Sequence, residues 1–297
     1  MNYHKRFRVK PGSRVSLKHH DPADTADLKD KAEAERRLQR TIGKLAAEQD
    51  KLYAQNTWAV LIIIQAMDAA GKDSLIKHVM SGINPQGCEV FSFKAPSDEE
   101  LDHDYLWRSV HALPERGRLG IHNRSYYEEV LVVRVHPGFL ARQRLPNAKP
   151  GPDLWAQRFR EMNHFERYLV DNGTLVLKFF LNVSRDEQRR RFLQRLDQPE
   201  KTWKFNAADI GERAVWDDYM AAYTDMLGAT STKWAPWHII PADHKWFTRL
   251  AVAEIIADAL RRLKLSYPAV SKTQRAALLE LRAALVKGAK GTGSKKR

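Results

Sequence analysis

Apolar and polar residues change phase along the chain in a regular way. "WAVLIIIQ" (58–65) is a continuous apolar run, as expected for a parallel strand buried on both faces. Behind it, Gly71 to Met80 reads as a helix. "CEVFSFK" (88–94) gives a second strand, and 98–112 a second helix opened by the acidic "SDEE". "RLGIHN" (118–123) is a short third strand, followed by a helical "YYEEVLVVRV". A longer helix covers about 153–171 and is broken by "DNG". "TLVLKFFLNV" (174–183) and "HIIPAD" (238–243) are the last strands, the latter leading into a helix over 244–264. Five strands interleaved with helices predict an α/β fold with a doubly wound parallel sheet.

The flanks differ from this core. Residues 1–24 are polar, carry Pro11, Gly12 and Pro22, and read as an extended arm. From Asp24 to Gln55 a charged stretch sets Leu38, Ile42, Leu45 and Leu52 at helical spacing, one stripe to pack on the main domain. The expected division is an N-terminal arm and helix over 1–56, a main domain over 57–265, and a C-terminal helix with a basic, disordered tail over 266–297. That tail begins near Lys287.

Charge narrows the partners. The 297 residues include 50 Lys+Arg against 36 Asp+Glu, a net +14, and only part of the excess sits in the tail. Such an excess favours a polyanion: nucleic acid, an anionic membrane surface or a phosphate-rich small molecule. The single cysteine, Cys88, rules out an internal disulfide framework and a Cys-rich zinc site. No segment reads as a signal peptide, and the longest apolar run, Trp58 to Ile64, is too short to cross a bilayer. A cytoplasmic protein without a membrane partner is expected.

Chemistry concentrates at "AMDAAGKDS" (66–74). A phosphate loop needs backbone N–H groups aimed at one point, a helix N-terminus behind them, and a lysine that reaches the phosphates. Strand, loop and helix are in the right order, with Gly71 and Lys72 at the turn and Ala69 and Ala70 before them. The usual pattern is broken twice: Ala66 stands at its first glycine, and Asp73 at its hydroxyl position, with Ser74 next to it. Asp68 inside an anion-binding loop is useful only if it holds a cation or orients an acceptor phosphate. That combination points to phosphoryl transfer between charged partners, with Mg²⁺ (Mn²⁺ as an alternative) between them.

"AMDAAGKDS", taken with "NRSYYEEVLVVRVHP" (123–137), "DQPEKTWKF" (197–205), "WDDYMAAY" (216–223) and "WAPWHIIPADHKWF" (234–247), resembles the polyphosphate kinase 2 family. The similarity runs from roughly residue 7 to 265. It implies a P-loop kinase of the thymidylate-kinase type with a helical lid, here at about 185–228. It also implies Mg²⁺-dependent, reversible phosphoryl transfer between inorganic polyphosphate and a nucleotide, and a homodimer or homotetramer. The family's loop residues fall on Asp68, Ala69, Ala70, Gly71 and Lys72. Its second motif falls on Asn123, Arg124, Ser125, Tyr126, Tyr127, Glu128 and Glu129. Two departures stand out: Asn123 replaces an Asp resembling a metal ligand, which leaves the metal to Asp68 and water, and Glu128 replaces an Asn. This variant, with the "VKPGSRVSL" arm, resembles the subgroup that phosphorylates both AMP and ADP.

The residues between Arg185 and Lys204 carry the polyanion argument independently. Arg185, Arg189, Arg190, Arg191, Arg195, Lys201 and Lys204 are all basic, and Arg185/Arg189 and Arg191/Arg195 are i,i+4 pairs. They predict two basic ridges on one helix, docked by Phe192, Leu193 and Leu196, with Arg suited to forked phosphate contacts. The alternative is a solvated helix face relieved by Asp186 and Glu187. Lys94 and Arg124 end strands, where open α/β sheets bind ligands; Tyr127 joins them as a nucleotide-site candidate through the resemblance. The tryptophans at 203, 216, 234, 237 and 246 sit in mixed apolar stretches and read as packing rather than as a nucleic-acid surface. Two other functions fit the same residues: an ATP-dependent nucleoside or nucleotide kinase of this fold, and a non-catalytic module that binds polyphosphate or RNA.

Overall fold

The computed structural model describes residues 2–146, 150–202 and 208–291. Its five strands are β1 (Ala59–Ala66), β2 (Cys88–Ser92), β3 (Leu119–Asn123), β4 (Thr174–Asn182) and β5 (Trp237–Pro241). They pair in the order β2-β3-β1-β4-β5, and every pairing is parallel. The continuous apolar run therefore lies at the centre: each residue of β1 is buried, with Ile62 opposite Ile121 on one side and Leu177 on the other.

Helices cover the sheet because strands buried on both faces must have apolar cover on both. The longer ones are α1 (Lys31–Gln55), α2 (Lys72–Val79), α3 (Pro152–Asp171), α4 (Arg185–Leu196), α5 (Trp216–Thr230), α6 (Lys245–Arg262) and α7 (Lys272–Gly291). α6 packs against α1 and α2, while α3 packs on β4 and against α5. The stripe on α1 forms as its spacing predicts: Leu38, Ile42, Leu45 and Leu52 are all buried. Residues 1–265 form one unit, and Ser266–Arg297, which contains α7, forms another.

The structure departs from the expected pattern in four places. The arm is not simply extended: Tyr3–Phe7 is helical, Tyr3 and Phe7 are buried, and the Val9 N–H donates to the Trp237 carbonyl at the edge of β5. The helix expected over 98–112 is two short ones, Asp98–Leu101 and Trp107–His111, because Asp104 accepts from the Leu106 N–H and diverts the backbone into a turn. After β3 the chain winds as a 3-10 turn over Tyr126–Val130 and breaks at Leu131 before Val132–Val135. Finally, α7 continues to Gly291, so the basic stretch from Lys287, expected to lack structure, is helical that far; residues 292–297 lie outside the described part.

The strand order reverses around β1, which has β3 on one side and β4 on the other. Segments leaving the C-terminal ends of β1, β2, β3, β4 and β5 converge there, as expected for a ligand crevice in an open α/β sheet.

Candidate active site

The loop between β1 and α2 has the geometry of a phosphate cradle. Ala69 (φ 60°) and Gly71 (φ 108°) both adopt left-handed backbone, which only glycine takes without strain. α2 begins at Lys72, so its first-turn N–H groups, which have no acceptor inside the helix, open towards the loop. The carbonyls turn the other way. Asp68 O accepts from Gln188 Nε2 at 3.0 Å, and Ala69 O and Ala70 O from Arg191 Nη1 at 3.1 and 2.7 Å. Lys72 Nζ donates to the Ala66 carbonyl at 2.9 Å, and burial, then the nearby Arg124 charge, lowers its pKa.

Arg124 links the loop to the segment after β3. Its backbone is also left-handed (φ 65°), and its guanidinium bridges two carboxylates: Asp68 Oδ1 at 2.8 Å and Glu128 Oε2 at 3.3 Å. These carboxylates, Glu128 foremost, hold its pKa above the usual arginine value against the effect of burial. Asn123 Nδ2 donates to Asp73 Oδ1 at 2.8 Å, while its Oδ1 is buried without a partner. Ser74 Oγ accepts from Arg249 Nη2 at 2.8 Å.

Beside Arg124 lies a cleft of about 210 Å³. Arg124 and Glu128 belong to its lining, Phe93, Val132 and Phe139 give it apolar wall, and Lys94 and Arg108 add positive charge. Lys94 is exposed, and its carbonyl accepts from Arg108 Nη1 at 2.8 Å.

Two sequence expectations need correcting. Tyr127 does not face the nucleotide side: it is fully buried, and its hydroxyl donates to Glu166 Oε1 at 2.7 Å and accepts from Lys178 Nζ at 2.9 Å. Lys178 and Glu166 form an ion pair at 2.6 Å with no exposure, and Lys178 also donates to the Thr230 carbonyl. Tyr127 thus fixes the turn that carries Arg124 and Glu128. Arg191 is likewise not part of a surface ridge: it is 3% exposed and spent on Glu187 and four backbone carbonyls. The other lid residues divide. Arg185 and Arg189 are exposed on α4, and Arg195 is half-buried with its guanidinium over the Phe192 ring. Only Phe192 of the expected docking residues is buried; Leu193 and Leu196 are exposed. Lys204 and the side chain of Lys201 lie outside the described part.

Sequence reasoning missed Gln188, Lys245 and Arg249. Lys245 Cε and Arg191 Nη1 both come within 3.9 Å of the point where a side chain on Gly71 would begin. Burial, then Arg191 and Arg249, pushes the Lys245 pKa down to about 8. A readable signal existed: Lys245 and Arg249 are an i,i+4 basic pair just after the last strand, at the sheet's ligand-binding end.

A parallel sheet of this order, with a glycine-lysine loop on its central strand and basic helices around it, defines a P-loop kinase. The chain belongs to the polyphosphate kinase 2 family, which it matches over residues 28–267. It is 50% identical over 284 residues to an ADP-polyphosphate phosphotransferase of Rhodopseudomonas palustris, covering 95% of this chain and 98% of that one. It is 43% identical over 268 residues to an AMP/ADP-polyphosphate phosphotransferase of Meiothermus ruber, covering 89% and 95%. Its fold matches the crystal structure of polyphosphate kinase 2 from Arthrobacter aurescens TC1 with a TM-score of 0.85 at 39% identity, over 94% of this chain and 97% of that one.

Proposed function

We propose that the chain transfers a phosphoryl group reversibly between inorganic polyphosphate and adenine nucleotides, with AMP and ADP as acceptors. The observation that carries this reading is the Asp68–Arg124–Glu128 bridge beside the Gly71-Lys72 loop. It supports a reading in which Arg124 is a phosphate clamp, with two carboxylates, between a donor on the loop and an acceptor in the cleft. The apolar wall suits a base, and Lys94 and Arg108 suit its phosphates. The relatives' names, one for ADP and one for AMP/ADP, support the same acceptors.

Lys72 and the N–H groups at the start of α2 bind the transferring phosphoryl group, and Arg124 orients the acceptor. Catalysis is mainly positioning and charge stabilisation. Among the described residues no cluster of three or more His, Cys, Asp or Glu side chains is built to hold a metal alone. The donors present nevertheless fit Mg²⁺, which typically takes one or two carboxylates plus substrate phosphates. Asp68 and Glu128 would supply carboxylate oxygens, and the unpartnered Asn123 Oδ1 an amide oxygen. A Mg²⁺ ion held by them would neutralise phosphate charge.

Arg185, Arg189 and Arg195 belong to a lid over about 185–228 that threads the polyphosphate; Lys245 and Arg249 extend its track beyond the loop. No helix among the described residues is long and apolar enough to cross a membrane. The reading includes a cytoplasmic homodimer or homotetramer that takes no nucleic acid. Product analysis tests it: purified protein with Mg²⁺ and AMP or ADP should make the next higher nucleotide from polyphosphate. Transfer from a nucleoside triphosphate alone would assign it instead to the ATP-dependent kinases of this fold.

A further inference from the structure

We infer that Gln188 and Arg191 are positioning residues that hold the phosphate loop open for its anion from behind. A loop whose N–H groups converge on a phosphate must turn its carbonyls away, and buried carbonyls need donors. Here three consecutive carbonyls, Asp68, Ala69 and Ala70, are all met from one face of α4. Gln188 takes the first, and Arg191, one turn further along, takes the other two. Both side chains are buried, at 1% and 3% exposure.

The same guanidinium reaches the segment after β5. Arg191 Nη2 donates to Ala242 O at 2.6 Å and Asp243 O at 3.1 Å, and Nε donates to Glu187 Oε1 at 2.7 Å. Asp243 Oδ1 in turn accepts from the Ser184 N–H at the cap of α4. One arginine thus ties the loop, the root of the arginine-bearing helix and the end of the last strand. With its donors used in this way it does not contact polyphosphate. Its effect reaches the substrate through Ala69, whose left-handed backbone is held by tertiary contact rather than by its own preference.

The inference rests on the proposed phosphoryl transfer, but part of its test does not. Arg191→Met, Arg191→Lys and Gln188→Leu are compared with the surface variant Arg189→Gln. Hydrogen exchange of the bonded amides that close the loop, the Ala70 N–H on the Met67 carbonyl and the Leu75 N–H on the Gly71 carbonyl, read without substrate, should speed up at least tenfold in Arg191→Met and Gln188→Leu. Lysine cannot serve both pairs of carbonyls at once, so Arg191→Lys should fall between. In turnover, Arg191→Met should lower kcat at least tenfold, with the salt dependence of the polyphosphate KM keeping its wild-type slope. Arg189→Gln should show the reverse: a shallower slope, because a phosphate contact is lost, and unchanged loop exchange. Unchanged exchange in a folded Arg191→Met, or a shallower salt slope in that variant, would overturn the inference. A wild-type protein that transfers nothing from polyphosphate contradicts the proposed function instead, while the exchange comparison still decides on the clasp.

Discussion

Under the proposed function, Glu128 is the residue expected to separate the acceptors. It lies four residues after Arg124 and pairs with it at 3.3 Å, the contact its sequence spacing suggests. AMP is one phosphate shorter than ADP, so its reacting oxygen must be held deeper or bridged to the loop. A carboxylate at 128 would supply that bridge, and asparagine would keep the shape without the charge. Glu128→Asn should therefore lower kcat/KM for AMP about tenfold more than for ADP, or ~1.4 kcal/mol of transition-state stabilisation. Equal losses on both acceptors would reduce Glu128 to a partner of Arg124. Lys245 gives a pH test. Its folded pKa of about 8 lies below the ordinary 10.5, so between these values the unfolded chain binds the extra proton. Stability from this group rises with pH across that window, and polyphosphate affinity moves the opposite way as the ammonium is lost. The polyphosphate KM should climb as pH passes about 8, and Lys245→Met should remove that inflection. Asp68, Lys72 and Arg124 were legible as candidates because they sit at strand ends in a strand–loop–helix context, and the structure brings Asp68 and Arg124 into contact. Tyr127 and Arg191 were misread because residue type and spacing do not say which way a side chain turns. Each answers a buried demand, a Lys178–Glu166 pair or a row of loop carbonyls, that exists only once distant segments meet.

At the scale of elements, apolar runs located all five strands and helical spacing located α1, since those signals come from burial on the elements themselves. The breaks were less visible. The interrupted helix near Asp104 follows from a side chain competing with the backbone, and the 3-10 turn at 126–130 places two adjacent tyrosines on one buried glutamate. That glutamate joins α3 to β4 through Lys178. Removing the lysine alone leaves a buried, unpaired charge, so Lys178→Met should cost about 3–5 kcal/mol in urea unfolding. A loss under about 1 kcal/mol would show that the pair is dispensable. On α4, exposed Arg189 and half-buried Arg195 should serve the long polyanion rather than the nucleotide. Replacing both with Gln should raise the KM for polyphosphate more than that for ADP, and most strongly at low salt, where counterion release favours binding. Equal shifts in both constants would indicate a misfolded lid.

For the whole molecule, a doubly wound sheet brings five strand ends to one crevice, and charges scattered over the sequence become a single site. The loop comes from β1, the clamp from β3, the basic helix from β4 and the Lys245–Arg249 pair from β5. Two polyanions meeting there explain both the carboxylate in the loop and the excess of basic residues around it. Lys72→Ala should lower turnover about 10²–10³-fold, as expected for a group that stabilises charge in the transition state. Its bonds to the Ala66 carbonyl at 2.9 Å and the Met67 carbonyl at 3.5 Å imply a stability change of only about 1 kcal/mol. The donor is the central claim, because the loop alone would serve a nucleoside triphosphate equally well. The direct measurement incubates purified protein and Mg²⁺ with ADP, then separately with AMP, supplying either polyphosphate or GTP as the only donor. The account predicts ATP from ADP and ADP from AMP with polyphosphate, faster than with GTP. Product formed with GTP and none with polyphosphate would contradict it.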